Sequence, residues 1–181
     1  MLINKKKIKL FYFVNKLFEK KINNILKYKD LNIIYIYNDN DNLHQVLILR
    51  KLCKKNNIKF YLSNNFKNIN KLKPDGIHLH TKIKTFIFNI KNKKIDIIGT
   101  AYNQIDYHRK LHQGCTTIFL SPIFFTQKYS SNKILGIPRF NLLTLNWKKN
   151  IIALGGIKRE NMKKIYLTRS IGIGGISFFD K

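Results

Sequence analysis

Apolar residues along this chain fall in short runs separated by stretches with helical spacing. The runs are Leu10–Val14, Asn32–Tyr37, Ile58–Leu62, Ile77–His80, Ile95–Ala101, Thr116–Ile123, Ile151–Leu154 and Ile171–Phe179. Their length and their β-branched and aromatic content predict buried strands. Between them, Leu17–Tyr28 sets Leu17, Phe18, Ile22, Ile25 and Leu26 on one helical face. Leu43–Lys55 does the same with Val46, Leu47, Leu49, Leu52 and Cys53. Shorter helices are expected at Ile69–Leu72, Ile105–His112, Phe140–Trp147 and Arg159–Leu167. Ile83–Ile90 reads as helical, with a strand left open by its Thr and Phe content. Pro74-Asp75-Gly76 predicts a turn, and Gly114 a helix stop.

Strands alternating with helices imply parallel pairing. Eight such units are the count of an α/β (β/α)₈ TIM barrel. Nothing in the chain reads as a linker, so residues 1–181 are expected to form one compact barrel domain. No helical pattern follows the eighth strand, so a full last helix is not expected.

Composition narrows the class. A 181-residue chain that is 44% hydrophobic buries a sizeable core, which excludes a disordered polymer. No apolar run approaches the roughly 18–20 residues of a membrane span, so no membrane association is expected. Lys5-Lys6-Lys7 ahead of Leu10–Val14 has the outline of a signal peptide, but the apolar stretch is short and Asn15-Lys16 follows it. It reads as the first strand. Cys53 and Cys115 stand far apart without metal-ligand spacing and fit a reducing cytoplasm. The net charge of +26 comes from 35 Lys and Arg against 9 Asp and Glu. The lysines are spread over every segment in a chain saturated with Ile and Asn, which reads as a solvated surface rather than a nucleic-acid stripe. Such a field still raises the arrival rate of anionic ligands.

The candidate chemistry is concentrated in glycines near the end. Ala153-Leu154-Gly155-Gly156-Ile157 follows the seventh strand, and Ile171–Ser177 contains the eighth. In barrels the loops after these strands are the usual phosphate site, and glycine lets backbone amides approach a ligand. Gly155, Gly156, Ile176 and Ser177 are the expected phosphate-binding residues. Lys158-Arg159-Glu160-Asn161 is expected to begin a helix whose dipole assists.

These residues carry a family resemblance. Ala153–Ile157 resembles the "A-I-G-G-I" segment of thiamine phosphate synthases and the related thiazole tautomerases. Asp75-Gly76-Ile77-His78-Leu79 is similar to their "D-G-V-H-L", and Ile98-Gly99-Thr100 to "I-G-x-S". Ser121–Thr126, followed by Gly136, resembles "G-P-I-F-x-T", and Gly172–Ser177 resembles "G-V-A-V-V-S". Five motifs hold their order from Ile58 to Phe179, and more weakly from Leu10. The resemblance implies condensation of a pyrimidine diphosphate with a thiazole phosphate, releasing pyrophosphate, with Mg²⁺ as cofactor. It also implies Thr100 and Thr126 as hydroxyl donors, and Lys128 and Lys133 as cations for the leaving pyrophosphate.

The metal end departs from the family pattern. Where the second strand reads "Q-L-R-E-K", this chain has Ile34-Tyr35-Ile36-Tyr37-Asn38. Ser63-Asn64 replaces "N-D", leaving Asn64 as a weak neutral ligand, and His80-Thr81-Lys82-Ile83 replaces "G-Q-E-D". Magnesium favours carboxylate oxygens, so weak or absent Mg²⁺ binding is expected. Tyr102 stands where the tautomerases carry a catalytic histidine. A zinc site from His78, His80, His108 and His112 is the weaker reading, because nothing joins the two pairs. The aromatic residues of the strands are better read as packing than as base-stacking platforms. Four functions remain open: an active or divergent synthase, a thiazole-phosphate tautomerase, a non-catalytic phosphate-binding or regulatory barrel and, as a distant fourth, a nucleic-acid-binding barrel.

Overall fold

The computed structural model describes residues 8–15, 25–28, 30–64, 66–84, 95–127 and 130–180. Eight strands form one closed barrel in chain order, every neighbouring pair parallel. They are β1 Lys9–Val14, β2 Leu31–Ile36, β3 Lys59–Ser63, β4 Gly76–Leu79, β5 Asp96–Ala101, β6 Thr117–Leu120, β7 Asn150–Leu154 and β8 Gly172–Gly175. The described helices are α1 Leu43–Lys55, α2 Ile69–Leu72, α3 Gln104–His112, α4 Gly136–Thr144 and α5 Met162–Ile165. The expected helix Leu17–Tyr28 lies largely outside the described residues, with 25–27 helical. The expected segment Ile83–Ile90 lies outside them from residue 85 onward.

Alternation along each strand divides the core in two. Phe11, Phe13, Ile34, Tyr61, Ile98, Phe119 and Ile152 pack together inside the barrel. Phe119 meets Phe11 edge-on at 5.0 Å and Phe13 at 5.6 Å. Gly174 makes room for these rings, since a Cβ there would lie 3.1 Å from Phe119 and 3.2 Å from Phe13. The intervening positions, among them Tyr12, Ile33, Leu62, Ile118 and Ala153, face outward into the helical layer.

Four segments differ from the sequence reading. β6 stops at Leu120 because Pro122 has no amide to continue the ladder; Ile123 and Phe124 instead donate to Leu154 and Gly155. α4 starts four residues early, with Pro138 tolerated in its first turn. Trp147 falls beyond it and stacks on Tyr107 at 4.0 Å. The expected helix Arg159–Leu167 is a 3₁₀ turn at Arg159–Asn161 followed by the single turn of α5. β8 stops at Gly175, after which the chain turns and buries Phe179 against Tyr12 and Tyr28. The Tyr12 hydroxyl donates to Asp180 beside it.

Candidate functional site at the carboxyl rim

Because all eight strands are parallel, their carboxyl ends share one rim. Asn64 leaves β3, His80 leaves β4 and Tyr102 leaves β5 on that rim. Thr126 and Lys133 follow β6, Gly155 and Gly156 follow β7, and Ile176 and Ser177 follow β8. Lys128 lies outside the described residues. Asp75 precedes β4 and therefore sits at the opposite rim, where it pairs with Arg50 at 2.9 Å and accepts from the Phe60 amide at 2.8 Å.

The glycine end is built by two loops pressed together. Gly155 and Gly156 adopt φ of +93° and +69°, conformations that L side chains resist. A Cβ on Gly156 would stand 2.4 and 2.5 Å from the Phe125 and Phe124 carbonyl oxygens. The Gly156 position therefore faces the β6 loop, and Gly156→Val would damage that contact rather than simply fill a ligand site. The amides of Gly155, Gly156, Ile176 and Ser177 have no backbone acceptor among the described residues. The Thr126 Oγ1 is buried and likewise lacks a partner.

The helix expected to aim its dipole here contributes less. It begins as a 3₁₀ turn, and the Lys158 amide is committed to Asn161 Oδ1 at 2.8 Å. Asn161 Nδ2 in turn donates to the Gly156 carbonyl at 2.8 Å, fixing the glycine turn. The candidate donors are loop amides, not a helix end.

Thr100 occupies a different place from Thr126. It is 3% exposed inside the barrel, and its hydroxyl contacts His78 Nε2 at 2.8 Å. His78 Nδ1 meets the Ser63 hydroxyl at 2.8 Å. Burial, reinforced by the charges of His80 and Lys110, pushes the imidazole down to about 3, so it stays neutral. This Ser63–His78–Thr100 chain escaped the sequence reading. Its one signal was the placement of three polar residues at inward positions of adjacent strands.

At the ends of β2 and β3, Tyr37, Asn38, Asp39, Asn64, Phe66 and Lys67 line an open depression of about 420 Å³. Asn64 stands there with φ +71°. The only carboxylate in that lining is Asp39, which pairs with Lys67 at 3.6 Å. Among the described residues no three His, Cys, Asp or Glu side chains converge as metal ligands. A neutral amide and one carboxylate already paired to an ammonium do not fit Mg²⁺.

The loop after β4 is held from within. Lys110 of α3 is fully buried, and its Nζ donates to the His80 carbonyl at 3.0 Å, to Gln113 Oε1 at 2.8 Å and to the Ile83 carbonyl at 3.4 Å. Gln113 Nε2 donates to the Ile83 and Lys84 carbonyls at 3.0 and 3.1 Å. The Lys82 amide donates to His80 Nδ1 at 3.2 Å. Burial pushes the Lys110 ammonium down to about 8.

A relative from Prochlorococcus marinus (strain AS9601), "Thiamine-phosphate synthase", is 32% identical over 140 residues, covering 73% of this chain and 38% of the relative. One from Pelagibacter ubique (strain HTCC1062), of the same description, is 30% identical over 138 residues, covering 71% and 65%. The chain thus spans well under half of the first relative's length. A solved thiamine phosphate pyrophosphorylase from Pyrococcus furiosus superposes with a TM-score of 0.73 at 16% identity, over 95% of this chain and 87% of that one. That likeness speaks to the fold. Among the described residues no helix is long and apolar enough to cross a membrane. A family model described as thiamine monophosphate synthase matches residues 8–179, almost the whole barrel, and the chain belongs to that family.

Proposed function

We propose that this single barrel domain acts in the cytoplasm as a thiamine phosphate synthase, joining a hydroxymethylpyrimidine diphosphate to a thiazole phosphate. In that reaction the bond from the pyrimidine methylene to the diphosphate oxygen breaks, and its electron pair leaves with pyrophosphate. The thiazole nitrogen lone pair forms the new carbon–nitrogen bond. The chain's part is to hold both partners in line and to stabilise the departing anion.

The observation that carries the reading is a set of donors at one rim that no protein group among the described residues takes up. Four amides from the loops after β7 and β8 lack backbone acceptors, and Thr126 Oγ1 is buried without a partner. Backbone amides left open at a rim, beside a buried hydroxyl without an acceptor, favour an anion. Gly155, Gly156, Ile176 and Ser177 would take the thiazole phosphate. Thr126 and Lys133 would serve the pyrophosphate, and Lys128, outside the described residues, is assigned the same role. Thr100 acts from further inside, through His78.

The test combines turnover with binding. Purified protein is given both precursors, and thiamine phosphate is measured. Thiazole phosphate is titrated by calorimetry into wild type and Ser177→Asp. Ser177 is exposed, so the substitution places a negative charge at the rim without disturbing the core. Affinity should fall at least about tenfold, the loss of one charge-assisted contact. Equal affinity in the two proteins would sink the phosphate site. The missing carboxylates favour one second reading, a barrel that binds phosphate esters without turnover; Ser177-dependent binding with no product would select it.

A further inference from the structure

At the carboxyl rim the stretches that leave β3, β4 and β6 carry lysines and no acid, whereas a divalent cation needs carboxylates. The sequence contains no Asp or Glu between Asp41 and Asp75, nor between Asp75 and Asp96, nor between Asp106 and Glu160. The loops leaving β3, β4 and β6 are therefore free of carboxylates. Among the other acids on this side, Asp180 accepts from the Tyr12 hydroxyl, exposed Glu160 follows β7, three strands away from β4, and three more are engaged. Asp41 accepts from the Tyr35 hydroxyl and the Asn38 amide, Asp106 pairs with Arg109, and Asp39 pairs with Lys67.

The loop after β4 has an ordered scaffold in place of a metal. Lys110 and Gln113 tie the carbonyls of His80, Ile83 and Lys84 from below, so the segment carrying Lys82 is fixed rather than trailing. Lys82 itself is exposed. β3 and β4 are neighbours, with Ser63 beside His78, so Asn64 and His80 leave adjacent strand ends. A divalent cation bound here would meet the buried Lys110 ammonium beneath the loop and Lys82 within it. The same charges attract a diphosphate.

Building on the synthase reading, we infer that the loop Thr81–Lys84, through Lys82, supplies the counter-charge to the substrate's diphosphate in place of a carboxylate-bound Mg²⁺. The ammonium replaces metal and carboxylate together: one positive group on a backbone held in place takes over from a divalent ion and the acids that would have held it. Charge-assisted N–H to phosphate contacts are strong enough for this exchange, though a point charge gives less geometric control than a metal.

Inorganic pyrophosphate is the probe. It is titrated by calorimetry into wild type, Lys82→Gln and Lys148→Gln, with EDTA and then with Mg²⁺. Lys148 precedes β7 at the opposite rim, so it matches the charge change without touching the site. Wild type should bind pyrophosphate in EDTA, and Mg²⁺ should leave the affinity unchanged or weaken it by complexing the ligand. Lys82→Gln should lose about tenfold and Lys148→Gln less than about twofold. Binding that appears only with Mg²⁺, or equal losses in the two variants, would overturn the inference. Thiazole phosphate is titrated in parallel. If it binds in a Ser177-dependent way while pyrophosphate needs Mg²⁺, the inference alone falls. If wild type binds neither ligand, the synthase reading falls with it.

Discussion

Thr126 and His78 each hide a polar group from water, with opposite accounts to give. The Thr126 hydroxyl is hidden from water and makes no hydrogen bond. An unsatisfied buried hydroxyl costs roughly 1–3 kcal/mol. Thr126→Val keeps the shape and removes that cost, so the ligand-free protein should gain about 1 kcal/mol in urea unfolding. The same variant should bind pyrophosphate several-fold more weakly. Stability and affinity moving in opposite directions is the signature of a group kept for a ligand; a loss of both would make Thr126 a packing residue. His78 is satisfied on both nitrogens by Ser63 and Thr100. Its folded pKa lies near 3, below the ordinary 6.5. Between these values the unfolded chain binds the extra proton, so stability is full above 6.5 and falls as pH drops toward 3. Replacing it by Gln should remove a slope on the order of 1 kcal/mol per pH unit in that window. Parallel pH–stability curves for wild type and His78→Gln would refute the neutral buried imidazole.

At the level of elements, α3 and β5 are locked by a complementary pair, Lys110 and Gly99. A Cβ on Gly99 would lie 2.7 Å from Lys110 Cδ and 2.9 Å from Cys115 Sγ. Gly99→Ala should therefore cost about 1–3 kcal/mol by overpacking. In a Lys110→Ala background much of that cost should vanish, giving a coupling of at least about 0.5 kcal/mol in a double-mutant cycle. Additive losses would mean that Gly99 is required for some other reason. This contact also shows what the sequence could and could not reveal. α1 and α2 have the bounds read from their periodicity, because each is a local pattern with clear ends; α1, for instance, starts where Asn42 caps the His44 amide. Most strands were placed to within a residue or two, because a short run of β-branched and aromatic residues is also a local signal. The Lys110 clamp was hidden, because it joins residues thirty apart through backbone carbonyls that have no sequence signature. The truncated β8 was missed for a similar reason. Ile171–Phe179 reads as one apolar run, but Phe179 finds Tyr12 and Tyr28 on the outer face only by turning out. The glycine pair was legible as a turn at a phosphate rim; that its missing side chains accommodate the Phe124 and Phe125 carbonyls was not.

On the scale of the whole molecule, charge is the dominant unbalanced quantity. With 35 basic and 9 acidic side chains, at most nine of the basic groups can pair one to one. The remainder repel one another across a small barrel and lower its stability. That repulsion acts over the Debye length, about 30 Å at 0.01 M salt and about 3 Å at 1 M. Raising KCl across this range should therefore raise the melting temperature. A gain of one or two kcal/mol corresponds to roughly 2–8 °C for a chain of this size. The same screening should slow the arrival of pyrophosphate and weaken its binding, because the field that destabilises the fold also draws in anions. Chloride could mimic a ligand, so the melting series is repeated with Ser177→Asp and Lys82→Gln. General screening predicts nearly the same salt-induced rise in both variants, whereas specific occupation of the rim predicts a smaller one. A melting temperature that fell with KCl would mean that favourable surface pairs outweigh the excess positive charge. The lysines would then be supporting the fold, and their attraction for phosphorylated ligands would need a local rather than a global explanation.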